Sequence, residues 1–154
     1  MTISGGCQCG AVRYRATGFG RASICHCRMC QKAFGSFYGP LVTAHELVWT
    51  RGTPKRFASS DKVRRGFCED CGTPLTFEYP SAIDVAIGSL DDPRLAPPVI
   101  QLNPNDKLDF VDTLHALPMR RDGDEPKVDA FKASLTNFQH PDHDTAEWPV
   151  RSAR

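Results

Sequence analysis

Phe67-Cys68-Glu69-Asp70-Cys71-Gly72-Thr73-Pro74-Leu75-Thr76-Phe77-Glu78-Tyr79 carries the two signals on which the fold of this chain rests. Its first half is a Cys-x-x-Cys followed by glycine, a metal-knuckle half-site. Two sulfurs turn toward one ion, and the glycine relieves the backbone where amides approach the thiolates. Its second half alternates apolar and polar side chains with period two, the mark of a half-buried strand, until Pro80 stops it.

The same two signals recur on either side. Ala11-Val12-Arg13-Tyr14-Arg15 alternates, and Gly18 and Gly20 read as its end. Phe37 to Thr43, Leu47 to Thr50, Val63 to Phe67 and Ile83 to Ile87 are further strand candidates, with a turn at Arg51-Gly52-Thr53-Pro54. Helix signals are sparse. Met29 to Phe34 suits a helical turn or two, and Asp91-Asp92-Pro93 suits only a turn because Pro97-Pro98 follows. Strands at short intervals with Gly and Pro punctuation predict a mainly-β domain, sandwich or barrel-like, over residues 1–118. Residues 119–154 read as an extension, partly helical or loosely ordered. In it, Val128, Phe131, Leu135 and Phe138 are spaced for one helix face. This extension is expected to be loosely held or used in self-association, so a homodimer is possible.

All seven cysteines fall into three clusters: Cys7 and Cys9; Cys25, Cys27 and Cys30; Cys68 and Cys71. In Cys7-Gln8-Cys9-Gly10 the two sulfurs share one face of an extended segment, because side chains repeat every second residue. Together with Cys68 and Cys71 they supply four sulfurs, a closed tetrahedral set, whereas three sulfurs leave one position open. The expectation is two zinc ions per chain, a structural one on Cys7, Cys9, Cys68 and Cys71 and a working, more labile one on Cys25, Cys27 and Cys30. Buried apolar cysteine is the bland reading of the first four. For the other three, the alternatives are a fourth ligand such as His26 or an iron–sulfur cluster, which lacks a spare cysteine. A thioredoxin-like role lacks its βαβ pattern.

Charge and composition narrow the partners. With 19 Lys and Arg against 18 Asp and Glu, the net charge of +1 argues against a nucleic-acid partner. No apolar run approaches the roughly 20 residues that cross a bilayer. The polar Met1-Thr2-Ile3-Ser4-Gly5-Gly6 has no apolar signal segment. A cytoplasmic protein follows, and in that reducing compartment clustered cysteines are metal ligands rather than disulfides.

Three thiolates on a divalent ion leave net −1, a weaker Lewis acid than the same ion on three neutral histidines. Such a soft site suits binding another thiol and presenting it as a thiolate, with hydrolysis as the second possibility. His26 offers a general acid/base, a fourth ligand or a solvent-facing ring. His45 and His115 read as structural, and His140-Pro141-Asp142-His143-Asp144 as a metal-like tract in a solvated tail. Arg51, Lys55, Arg56, Lys62, Arg64 and Arg65 form a basic stretch that reads as a charged hairpin face, a carboxylate-recognising patch or a nucleic-acid contact. Lys32 could draw an anion toward the open site.

The chain resembles the glutathione-dependent formaldehyde-activating enzyme family, whose domain is shared with centromere protein V. The resemblance rests on Gly6-Cys7-Gln8-Cys9-Gly10-Ala11-Val12-Arg13-Tyr14, on Cys25-His26-Cys27-Arg28-Met29-Cys30-Gln31-Lys32, and on Phe67 to Leu75. It continues through Ile87-Gly88-Ser89-Leu90-Asp91 to Leu117-Pro118. It implies an Mss4-like fold of small antiparallel β-sheets with zinc-binding loops, structural zinc on Cys7, Cys9, Cys68 and Cys71, and catalytic zinc on Cys25, Cys27 and Cys30. The implied activity is a carbon–sulfur lyase type, joining glutathione, a small thiol, to formaldehyde or another small aldehyde. The competing expectation is a non-catalytic zinc module that binds a partner. One stretch departs from the family. Where members carry His-Ile-Trp and then Lys-x-x-Trp, this chain has Gln101-Leu102-Asn103 and Lys107 to Phe110. The departure bears on the substrate rather than on fold or metals.

Overall fold

The structure is a computed structural model and describes residues 3–148. Met1-Thr2 of the polar N-terminal segment and residues 149–154 of the polar tail lie outside the described residues.

Ten strands form two sheets among the described residues: β1 (Ile3–Gly6), β2 (Arg13–Ala16), β3 (Gly18–Cys25), β4 (Gly39–His45), β5 (Val48–Arg51), β6 (Lys55–Ala58), β7 (Arg64–Phe67), β8 (Pro74–Tyr79), β9 (Ala82–Ala86) and β10 (Ile100–Leu102). The small sheet runs β1-β2-β5 and the large one β10-β3-β4-β9-β8-β7-β6. Every pairing is antiparallel except β10 with β3, which is parallel. The mainly-β expectation holds. That parallel pair arises because the chain leaves β9 through an irregular segment, 87–99, and arrives at the far edge of the large sheet.

Two strand assignments differ from the local reading. Gly18 and Gly20 do not end a strand; they begin β3, where pairing with β4 supplies what glycine propensity lacks. Lys55–Ala58 reads as charged surface but pairs along β7. Helix α1 (Arg28–Phe34) covers the expected Met29–Phe34 stretch and starts inside the second cysteine cluster, with Cys27 at its N-cap and Cys30 in its first turn. Helix α2 (Pro126–Ser134) leaves Phe131 exposed, and Leu135 and Phe138 beyond it are exposed as well, so the apolar spacing is not buried.

The large sheet buries one face and presents the other. Register aligns Ala22, Val42, Val85 and Thr76 across β3, β4, β9 and β8. Of these, Ala22, Val42 and Val85 join Ile3, Val12, Tyr14 and Leu75 in the core between the sheets. Each fully buried aliphatic side chain contributes about 1.5–3 kcal/mol. Tyr14 is 0% exposed, its hydroxyl 2.8 Å from Ser89 Oγ and its ring edge-on to Trp49. By alternation the next residues, Thr43, Asp84, Phe77 and Arg65, point to the opposite face, and there Arg65 is itself buried against Cys30.

The segment after α2 folds back on the N-terminal loop. The His140 backbone N–H donates to Gln8 O at 2.7 Å, and Trp148 Nε1 donates to Cys9 O at 2.9 Å. Arg13 forms a bidentate pair with Asp91 and also donates to Asp144, which accepts from Arg15 too. Gly10 permits this docking: its φ is +79°, and a Cβ there would lie 2.2 Å from the His140 ring. Asp144→Ala should cost about 1–2 kcal/mol, since Arg13 keeps Asp91. It should also speed amide exchange over Gln139–Trp148; unchanged protection there would show that the ion pairs do not hold the segment.

Candidate functional site

Two loops from distant parts of the chain build the first cluster. After β1 the chain turns at Cys7-Gln8-Cys9-Gly10, closed by Gly10 N–H to Cys7 O at 3.0 Å and Cys7 N–H to Val12 O at 2.9 Å. After β7 it turns again, with Gly72 N–H to Cys68 O at 2.9 Å and Cys68 N–H to Thr73 O at 3.0 Å. Gly72 has φ +77°, a conformation that a side chain would strain. Gln8 N–H donates to Thr73 Oγ1 at 3.0 Å and ties the turns together.

The four sulfurs lie within 4.8 Å of one another. Cys7 and Cys9 Sγ are 3.5 Å apart and Cys9 and Cys68 Sγ 3.8 Å. Tetrahedral thiolates at a zinc–sulfur distance of about 2.3 Å stand about 3.8 Å apart, so the set fits a metal ion of that kind. Burial pushes the Cys7, Cys9 and Cys68 thiols up to about 11. Burial also pushes Cys71 upward, but hydrogen bonds from Thr73 and Cys9 outweigh it and hold that thiol at about 6.

The second cluster gathers where β3 meets α1. Cys25 ends β3, Cys27 caps α1 by accepting from Cys30 N–H at 3.4 Å, and Cys30 sits in the first turn. Their sulfurs also lie within 4.8 Å of one another, so this cluster too can hold a metal ion. Outside residues address two of the three. Arg65 Nη2 donates to Cys30 Sγ at 3.3 Å and Asn103 Nδ2 to Cys25 Sγ at 3.2 Å. Burial pushes Cys30 up to about 12. On Cys27 burial acts the same way, but the Cys30 N–H, the neighbouring thiols and the Arg65 charge hold it below the ordinary thiol range.

His26 is not a solvent-facing ring. It is 0% exposed and lies outside the sulfur group. Its Nε2 donates to Gln101 Oε1 at 2.9 Å, its ring stands edge-on to Tyr38, and its Nδ1 has no partner. Gln101, the residue at a departure from the family pattern, therefore satisfies a buried imidazole. Gln101→Leu strands that nitrogen and should cost about 1–3 kcal/mol. A thermal melt checks this, and Gln101→His should recover part of the loss.

His45, His115 and His143 are exposed and join no cysteine cluster. The basic stretch is not one patch, because strand alternation scatters it. Arg56 pairs with Glu78, Lys55 with Glu69, Arg51 reaches Gly10 O and Thr145, and Arg65 turns inward to Cys30. Lys32 is exposed and borders an apolar cavity of about 460 Å³ with Phe34, Phe57, Arg65 and Phe67. Sequence reasoning missed Arg65 and Asn103 as partners of the sulfurs. Period-two alternation sets Arg65 on the side of β7 opposite to the exposed Arg64; nothing local marks Asn103.

No helix among the described residues is long and apolar enough to cross a membrane. The chain is 34% identical over 83 residues to an uncharacterized lyase of Schizosaccharomyces pombe, a match covering 49% of this chain and 56% of that protein. It thus spans about half the length of that curated relative. A crystal structure of a Rhodobacter sphaeroides protein superimposes with a TM-score of 0.51 and 25% identity, covering 64% of this chain and 98% of that one. The family model described as glutathione-dependent formaldehyde-activating enzyme matches residues 2–105. Both cysteine clusters lie within that span, and the chain belongs to the glutathione-dependent formaldehyde-activating enzyme family.

Proposed function

We propose that this protein is a zinc-dependent enzyme of carbon–sulfur lyase type acting on the glutathione adduct of formaldehyde or another small aldehyde. The single observation that carries the reading is the group of three sulfurs at Cys25, Cys27 and Cys30, which no fourth Cys, His, Asp or Glu joins among the described residues. Family membership and the lyase name of the fission-yeast relative support it. Two zinc ions per chain are proposed, a structural one on Cys7, Cys9, Cys68 and Cys71 and a catalytic one on Cys25, Cys27 and Cys30. A zinc ion held by Cys25, Cys27 and Cys30 would be soft and sulfur-rich and would lower the pKa of an incoming thiol.

The chain's own groups set the charge around that position. Arg65 and Asn103 donate to two of the three sulfurs and so moderate their charge. In synthesis the substrate thiolate adds to the aldehyde carbon; a C–S bond forms, the carbonyl π bond breaks, and the oxygen takes one proton. The lyase direction is the reverse. A glutathione substrate and seven free cysteines fit a reducing compartment such as the cytoplasm.

The test is turnover of glutathione with aldehyde by wild type and Cys27→Ser, with metal counted per chain. About a 100-fold loss in the variant, with the melting temperature kept, is expected. Equal rates reject the reading. A saturated second metal with no turnover in wild type favours the alternative, a zinc module that binds a partner.

A further inference from the structure

On the exposed face of the large sheet an open groove of about 360 Å³ runs beside the second cysteine cluster. Leu102, paired in register with Cys25, lies at its edge. Ser23, two residues before Cys25 on the same face of β3, lines it as well. The groove continues across β4 and β9 to Thr43 and Asp84, with Phe77 and Tyr79 of β8 as its far wall.

A bulge brings Arg21 into this groove. Phe19 faces Ala44 and Ala22 faces Val42, so Gly20 and Arg21 together oppose the single residue Thr43. The extra residue turns Arg21 to the outer face, the kind of redirection that bulges produce beside active sites. Thr43 in turn pairs with Asp84, so Arg21 and Asp84 flank it on adjacent strands, with backbones about 10 Å apart.

Both charges are unspent. Neither Arg21 nor Asp84 forms an ion pair within the described residues; Asp84 accepts hydrogen bonds from the neutral hydroxyls of Thr43 and, at 3.4 Å, Tyr79. Burial pushes the Asp84 carboxyl above its ordinary range, so a cation brought to it would relieve a standing cost.

We propose that this groove binds the amino-acid head of the thiol substrate, Arg21 taking its α-carboxylate and Asp84 its α-ammonium. A simple organic anion suits Arg21 but is repelled by Asp84, and a simple amine meets the reverse. A group bearing both charges on one carbon satisfies both residues, and the γ-glutamyl end of glutathione is such a group. The planar guanidinium matches the carboxylate fork, and Phe77 and Tyr79 cover the methylene stem. Cys25 lies about 13 Å along β3 from Arg21, a span that side chains and an extended tripeptide thiol bridge together. The assignment rests on the glutathione reading of the same site.

The test is calorimetric binding to the metal-loaded protein of two ligands, glutathione and its glutaryl analogue lacking the amino group. Wild type should prefer glutathione by about tenfold. Asp84→Asn should bind both alike while still binding the glutaryl compound, which also certifies its fold. Arg21→Gln, an exposed change, should weaken both by about tenfold. An unchanged preference in Asp84→Asn, no preference in wild type, or no glutathione binding overturns the assignment. Turnover measured alongside separates the two proposals. Turnover without discrimination removes the groove and keeps the lyase reading; discrimination without turnover does the opposite.

Discussion

Cys68→Ser should unfold the domain or lower its stability by several kcal/mol, whereas Cys27→Ser should leave the melt nearly unchanged. Cys68 is buried in the core cluster with Leu75 and Tyr14, and its sulfur closes the four-sulfur group joining the loop after β1 to the loop after β7. Beyond the single Gln8–Thr73 hydrogen bond, the sulfurs are what join these two loops, which lie 59 residues apart in sequence. Metal binding at a site absent from the unfolded chain is folding free energy. A drop of several kcal/mol lowers the melting temperature by about 10 °C or more in a domain of this size. A Cys68→Ser melt within about 2 °C of wild type would show that the first cluster holds no structural ion.

The pH dependence of the chelator-treated protein has a definite sign. Cys7, Cys9 and Cys68 have folded values near 11, above the ordinary value of 9.0. They stabilise the metal-free fold fully below pH 9, and that contribution is lost as pH rises toward 11. Cys71, held at about 6, acts oppositely: its contribution is present above 9 and lost as pH falls through 6. The metal-loaded protein should instead weaken only on acidification, as protons compete for all four thiolates. Melts across pH with and without chelator distinguish the two patterns.

Arg65→Met should empty the second cluster without harming the metal-free fold. Arg65 is 4% exposed and forms no ion pair with a carboxylate among the described residues. It donates to Ser59 Oγ at 3.0 Å and to Cys30 Sγ at 3.3 Å, and its guanidinium lies 4.8 Å from the Phe77 ring centroid. An isolated buried guanidinium costs several kcal/mol. A divalent ion on three thiolates would carry net −1, which the Arg65 guanidinium would offset. Removing the arginine should cut metal affinity there by about 10–100-fold and lower turnover with it. Chelator-treated Arg65→Met should be as stable as chelator-treated wild type, or more so. Full metal retention combined with a less stable metal-free protein would assign Arg65 to packing alone.

The strands that read clearly are those whose own residues carry the alternation: Leu75–Tyr79 in β8, Ile83–Val85 in β9, Arg13–Arg15 in β2. Those that did not read were held by neighbours. Gly18-Phe19-Gly20-Arg21 has two glycines and no β-branched residue, yet it pairs with β4 through a bulge. Lys55-Arg56 looks like solvated charge until Glu69 and Glu78 arrive beside it. Asn103 and Gln101 reach Cys25 and His26 only because β10 lies parallel to β3. His140 and Asp144 looked like an ordinary polar tail, and their partners Gln8 and Arg13 are more than a hundred residues away.

By itself the sequence determined which atoms can hold metal and that the domain is built from strands. Ligand type, cysteine spacing and period-two alternation are local properties, written within a few residues. Only the tertiary structure decided what surrounds the sulfurs: Arg65 on Cys30, Asn103 on Cys25, a buried His26, and a groove with a charge at each side that forms no ion pair among the described residues. Those placements depend on register between strands distant in the chain. Hydrophobic alternation and turn geometry constrain register locally, but which distant strands meet, and at which edge of the sheet, is decided only when they share a core.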